Sequence, residues 1–207
     1  MPVKRLLLMV LSVSIVIAGF ISLSCAARMK AKAAPGNDVS SKEEKKGSNA
    51  AKSIVDALDT IQGWDKYVDS GSKLDLASVP GKEGGAIEVT YDMTAGGWVA
   101  FNKTMEKDLS GCKAVSFYYK GMGAENTIEI KLEDADGTSF SYVVPSKSNV
   151  SSWLTVHVPV YKFEYCWGED KELNWSKVVR LHFAVAKREG DEGGAGKVIF
   201  GRVEAVK

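Results

Sequence analysis

Val115-Ser116-Phe117-Tyr118-Tyr119-Lys120 and then Thr127-Ile128-Glu129-Ile130-Lys131-Leu132-Glu133 are the two runs whose reading decides the fold. In each, large apolar side chains alternate with polar ones, the period of a strand with one face buried and one face wet. Three more runs repeat it. Phe140, Tyr142 and Val144 oppose Ser139, Ser141 and Val143; Leu154, Val156 and Val158 oppose Thr155 and His157; Val179, Leu181, Phe183 and Val185 oppose Arg180, His182 and Ala184. Turn-forming residues punctuate the runs at Lys120-Gly121-Met122-Gly123, Asp134-Ala135-Asp136-Gly137, Pro145 to Asn149 and Gly190 to Gly196. Many short strands with such punctuation predict an all-β, two-sheet sandwich of about eight to ten strands. Its core should include Phe117, Ile130, Leu132, Val156, Leu181 and Phe183.

The polar side of this alternation is where function is expected. Tyr118, Lys120, Glu129, Lys131, His157, Arg180 and His182 read as a shallow platform on one sheet face. A pyranose ring has an apolar C–H face and a rim of hydroxyls, so its site needs a flat aromatic beside rigidly held donors and acceptors. Tyr118 supplies the ring, and Lys131, His157, Arg180 and His182 supply the polar contacts. Trp98 alternates against Val99 and Phe101 and joins the same candidate set. The competing reading is a solvated face with Lys and Glu paired across strands. Trp153 begins a strand at the core's edge, while Trp64, Trp167 and Trp175 fall in loops.

Composition narrows the function classes. With 45% apolar and 26% charged residues in 207, and 27 Lys and Arg against 26 Asp and Glu, the chain has the make-up of one globular domain. A net charge of +1 gives no clustered basic excess for nucleic acid. Catalytic signatures are lacking as well. There is no G-x-S-x-G or H-E-x-x-H, the acidic Gly190 to Lys197 loop does not fit phosphate, and Glu129 and Glu133 each have a Lys beside them. With two histidines and no C-x-x-C, metal-ligand spacing is absent too. A non-enzyme is expected.

The N-terminus reads differently. Lys4 and Arg5 precede an apolar or small-residue run from Leu6 to Leu23, followed by Ser24-Cys25-Ala26-Ala27, the order of an export signal over residues 1–25. An uncleaved signal anchor is the alternative, because the run approaches the length of a membrane span. From Ala34 to about Lys52, with Pro35, Gly36, Ser40, Ser41, Lys42, Glu43 and Glu44 among them, almost no residue is large and apolar, too little to offset ordering entropy, and residues 26–52 read as a tether. The globular domain is assigned to residues 53–207. Cys112 and Cys166 could form one disulfide in an oxidising compartment or remain free thiols.

Several segments carry a resemblance. Ile54-Val55-Asp56, Gly96-Gly97-Trp98-Val99, Asp108-Leu109-Ser110, Val115 to Gly121, Leu132 to Gly137, Trp153-Leu154-Thr155-Val156 and Gly196-Lys197-Val198-Ile199-Phe200 together resemble galactose-binding-like jelly rolls. They are most similar to family 11 carbohydrate-binding modules and to the related complex I intermediate-associated protein 30 family. The resemblance implies a jelly roll that binds β-glucan chains on a concave sheet face by aromatic stacking and polar contacts. It also brings in a structural calcium ion as the one candidate cofactor. Many such modules carry an Asp after the last apolar pair, whereas here Phe200 is followed by Gly201, which weakens the calcium expectation. Ser22-Leu23-Ser24-Cys25 resembles a lipobox and implies lipidation of Cys25, although Ser22 stands where that motif prefers Leu.

Two readings of function result. One is a non-catalytic module of an exported envelope, periplasmic or extracellular protein, with a polysaccharide or oligosaccharide as partner and the membrane reached through the N-terminal anchor. The other is a protein-interaction or assembly module using the same face. Attachment is tested by changing Cys25 to Ser: a lipidated protein leaves the membrane fraction, whereas unchanged association assigns the anchor to Leu6 to Leu23.

Overall fold

A computed structural model describes residues 51–207, so the export segment, Cys25 and most of the tether lie outside the described residues. Twelve strands are present among those described: β1 (Lys52–Asp56), β2 (Trp64–Val68), β3 (Lys73–Pro80), β4 (Gly85–Met93), β5 (Trp98–Lys107), β6 (Ala114–Gly123), β7 (Thr127–Asp134), β8 (Ser139–Val143), β9 (Leu154–Pro159), β10 (Glu164–Trp167), β11 (Val178–Ala186) and β12 (Gly194–Val206). One sheet has the order β3-β4-β12-β6-β9, with β1 also paired to β12. The other runs β10-β8-β7-β11-β5-β2. All pairings are antiparallel. This is the predicted two-sheet jelly roll.

The core lies between the sheets and comes from one side of each alternation. Phe117 and Tyr119 of β6, Val198 and Phe200 of β12 and Val158 of β9 face Ile128, Ile130 and Leu132 of β7, Leu181, Phe183 and Val185 of β11, and Val99 and Phe101 of β5. Every core residue expected from the sequence is buried there. The rings interdigitate across the gap, with Phe183 and Phe200 centroids 4.5 Å apart and Phe117 edge-on to Phe183 at 5.3 Å, arrangements that aromatic quadrupoles favour.

Three local expectations change. The strand count exceeds the predicted range because β1, β2 and β10, each five residues or fewer, lie at sheet margins and show little alternation. Lys120 to Gly123 continues β6 and does not turn; a β-carbon on Gly121 would meet the Ser148 carbonyl oxygen at 2.2 Å, so the glycine admits the neighbouring loop. Trp64 begins β2 and is buried against Phe101, 5.0 Å between centroids, so it belongs to the core and to no loop.

Leu181 is fully buried among these rings. Leu181→Ala should cost about 2 to 5 kcal/mol of unfolding free energy in a denaturant titration, and a loss under about 0.5 kcal/mol would contradict the face assignment.

Candidate functional site

Period two says which side of a strand faces the core but not which sheet the strand joins, and here the expected platform divides. Tyr118 and His157 belong to β6 and β9 of the first sheet; Trp98, Lys131, Arg180 and His182 belong to β5, β7 and β11 of the second. Their outward faces are on opposite sides of the sandwich. The single site joining Tyr118 and His157 to the other four is therefore corrected.

Tyr118 also lacks a free ring. It is 8% exposed, its hydroxyl donates to Glu83 Oε1 at 3.3 Å, and Lys82 Nζ sits 4.4 Å from its ring centroid. Glu83 in turn pairs with Arg202, which reaches Glu204 at 2.9 Å. His157 is exposed but bonds Ser116 Oγ through Nδ1 at 2.8 Å. Trp153 leans over the glycine notch, with its ring 3.6 Å from where a Gly201 β-carbon would stand, and Lys120 covers it at 5.0 Å. These contacts tie up most of the polar groups of this side, while Arg202 Nε is buried without a partner. The ring of Trp153 now fills the space beside position 201. Among the described residues no group of three or more His, Cys, Asp or Glu side chains is arranged around a metal.

The outer face of the second sheet is shaped differently. The register aligns Tyr67, Ala100, Ala184, Glu129 and Val143 in one row across β2, β5, β11, β7 and β8. Asp65, Asn102, His182, Lys131 and Ser141 form the adjacent row. Thr104, Arg180 and Glu133 lie beyond it, and Trp98 stands on the other flank opposite Ala186. Side chains directly opposite are close neighbours; Ala100 and Ala184 are the short members of their row, flanked by Asn102 and His182 on one side and by Trp98 and Ala186 on the other, and Ala184 is 7% exposed. Aromatic rings mark both sheet margins: Tyr67 on β2 is 47% exposed and Trp167 on β10 is 37% exposed. Five strand spacings separate those margins, roughly 24 Å.

The charges here are fixed in pairs. Glu129 accepts from Arg188 Nε at 3.1 Å and Nη2 at 2.6 Å, and Lys131 Nζ lies 3.3 Å from its other oxygen. Glu133 accepts from Arg180 Nη1 at 2.7 Å, with His182 Nε2 3.4 Å away outside hydrogen-bond geometry. Burial lowers the His182 pKa against the opposing pull of Glu133, while the positive charges of Lys131 and Arg180 depress it further. Its imidazole is thus neutral at neutral pH. Arg188 is held from behind, since its backbone N–H donates to Asp191 Oδ2 at 2.9 Å. Asp191 also receives the Thr127 N–H and hydroxyl and pairs with Lys147. Burial raises the Asp191 pKa, but these donors outweigh it and leave the carboxyl below its ordinary range.

Sequence reasoning passed over Tyr67, Arg188 and the two alanines. Trp167 it left in a loop, although it ends β10. A signal existed for the alanines: Ala100 and Ala184 hold the outward positions of strands whose inward residues are Val and Phe. Nothing local marked Tyr67, because β2 was not recognised. Of Cys112 and Cys166, Cys112 is buried and free, its thiol donating to the Ala114 carbonyl. The two therefore do not pair with each other.

The fold is a jelly roll with a polar, aromatic-edged face on its second sheet. Residues 43–191 match the carbohydrate binding domain (family 11), and the chain belongs to that family. Over 168 residues it is 27% identical to endoglucanase H of Acetivibrio thermocellus, covering 74% of this chain and 18% of that protein. The chain thus spans less than a fifth of that relative. Among solved structures it is similar to a family 11 carbohydrate-binding module from Clostridium thermocellum in complex with a β-1,3-1,4-mixed-linked tetrasaccharide. The TM-score there is 0.63 at 21% identity, covering 77% of this chain and 97% of that one. An exo-β-agarase aligns with a TM-score of 0.51 at 10% identity, covering 75% of this chain and 25% of that one. At these identities the structural likeness speaks to the fold.

The His182 environment predicts a pH dependence. A base whose folded pKa is lowered takes up its proton more readily when unfolded, so stability is complete above the unfolded value of about 6.5 and falls as pH drops below it. The melting temperature should decline on acidification from pH 7 towards 5, and His182→Asn should flatten that slope. An unchanged slope in the variant would contradict the assigned burial.

Proposed function

We propose that this domain binds a neutral β-linked glucan or similar polysaccharide across the outer face of the second sheet, from Tyr67 over Ala100 and Ala184 towards Lys131, Arg180 and Trp167. The observation that carries this reading is the make-up of the face: exposed rings at both margins, and between them two alanines beside polar groups held by ion pairs. The rings suit the apolar faces of sugar units, while Asn102, neutral His182, Lys131 and Arg180 suit their hydroxyls. Trp98 flanks the same path. Family membership and the mixed-linkage ligand of the Clostridium thermocellum module support the ligand class.

In this reading the chain is exported and retained at the cell envelope, by acylation of Cys25 or by the Leu6 to Leu23 segment. The domain then brings polysaccharide to the surface it is attached to, performing no chemistry on it.

Calorimetric titration with a soluble β-1,3-1,4-glucan oligosaccharide tests the reading. A shallow solvated face predicts a Kd between about 1 mM and 1 μM, a net binding free energy of about −4 to −8 kcal/mol. A neutral ligand predicts little dependence on salt. Tyr67→Ala should weaken binding about tenfold, equivalent to about 1.4 kcal/mol, with the melting temperature unchanged because the ring stands at a sheet edge. No binding at millimolar ligand, or binding that collapses with salt, would overturn the proposal and favour a charged protein partner.

A further inference from the structure

The polar wall of this face depends on a residue that is itself nearly hidden. Glu129 is 3% exposed, and its row neighbours Ala184 and Val143 are short and apolar. Glu129 is the one carboxylate of that row. One carboxylate oxygen receives the Arg188 guanidinium in two hydrogen bonds, and the other lies 3.3 Å from Lys131 Nζ. Lys131 Nζ in turn lies 5.3 Å from the centroid of the Trp167 ring, within reach of a cation–π attraction. A line of contacts therefore runs from the β11–β12 loop, where Asp191 fixes Arg188, through Glu129 and Lys131 to the aromatic at the β10 margin.

A carboxylate this buried is costly unless well paired, and buried ion pairs can often be replaced by apolar residues with no loss of stability. Stability alone therefore does not account for Glu129 on a face whose row is otherwise Tyr, Ala, Ala and Val. Direction does. Without the carboxylate, Lys131 would extend into solvent as a mobile point charge, and the Trp167 ring would lose the group packed on it.

We propose that Glu129 is a positioning residue of the carbohydrate face: without touching ligand, it sets the directions of Arg188 and Lys131, and through Lys131 the orientation of Trp167. This rests on the glucan-binding reading of the same face. Site precision of this kind is what a supporting shell of side chains supplies.

Two measurements on the full chain separate this inference from the reading it rests on. The first titrates wild type, Glu129→Gln and Lys131→Met with a soluble β-1,3-1,4-linked tetrasaccharide. Each variant should lose about tenfold in affinity, and the double variant should lose little more than either, because both break one line of contacts. The second follows acrylamide quenching of tryptophan fluorescence without ligand. Glu129→Gln and Lys131→Met should both increase quenching, and the increase should vanish in a Trp167→Phe background. Lys131→Met breaks the line from its solvent side, so the test survives if Glu129→Gln fails to fold. Wild-type affinity in the variants, additive losses in the double variant, or extra quenching that persists in Trp167→Phe would overturn the positioning role. Absence of tetrasaccharide binding by wild type, with the quenching result as expected, would overturn the glucan reading and leave the positioning of Trp167 standing.

Discussion

Phe183 of one sheet meets Phe200 of the other at 4.5 Å between centroids, with Phe101 and Phe117 closing on the same pair at 5.3 to 6.4 Å. This contact locks the two sheets in register, and the rest depends on it. Strand side chains have a strict period of two, so fixing Phe183 inward forces His182 and Ala184 outward, and fixing Phe101 inward does the same for Ala100 and Asn102. The candidate face is the outside of the aromatic core's own alternation. Its rigidity comes from the core, since each of these outward residues stands on a backbone whose next side chain is clamped between sheets.

The two outer faces of the sandwich show how similar residues take different roles. On the first sheet, Tyr118, Glu83, Arg202, Glu204 and Lys52 are joined in a chain of contacts that leaves the aromatic ring covered. On the second, charges pair along the wall beside two alanines, and the exposed rings of Tyr67 and Trp167 stand at the margins. The difference lies in which residues occupy the middle positions: a tyrosine beneath Lys82 on one side, two alanines on the other.

Much of the fold was legible in the sequence because it is written in local alternation. All five periodic runs are strands, and the expected core residues are buried. The assignment of strands to sheets was not legible, because it is set by long-range pairing: β6 lies beside β9 and β12, while β7 lies beside β8 and β11, and no short window contains that information. This is why Tyr118 and Lys131 read as neighbours and prove to face apart. Of the candidate site, Lys131, Arg180, His182 and Trp98 do share one face. Tyr67 escaped notice because β2 is a short edge strand whose burial pattern shows one buried residue followed by four exposed ones, with no alternation to betray it. Trp64 misled for the same reason.

The central claim is that ligand meets the outer face of the β10-β8-β7-β11-β5-β2 sheet. Amide chemical-shift mapping during titration with a β-1,3-1,4-linked glucan oligosaccharide tests it most directly. Shifts concentrated on Tyr67, Ala100, Ala184, Lys131 and Trp167, with Tyr118, Trp153 and His157 unmoved, are the predicted result. Shifts centred on Tyr118, Trp153 and His157 would contradict it and move the site to the opposite face.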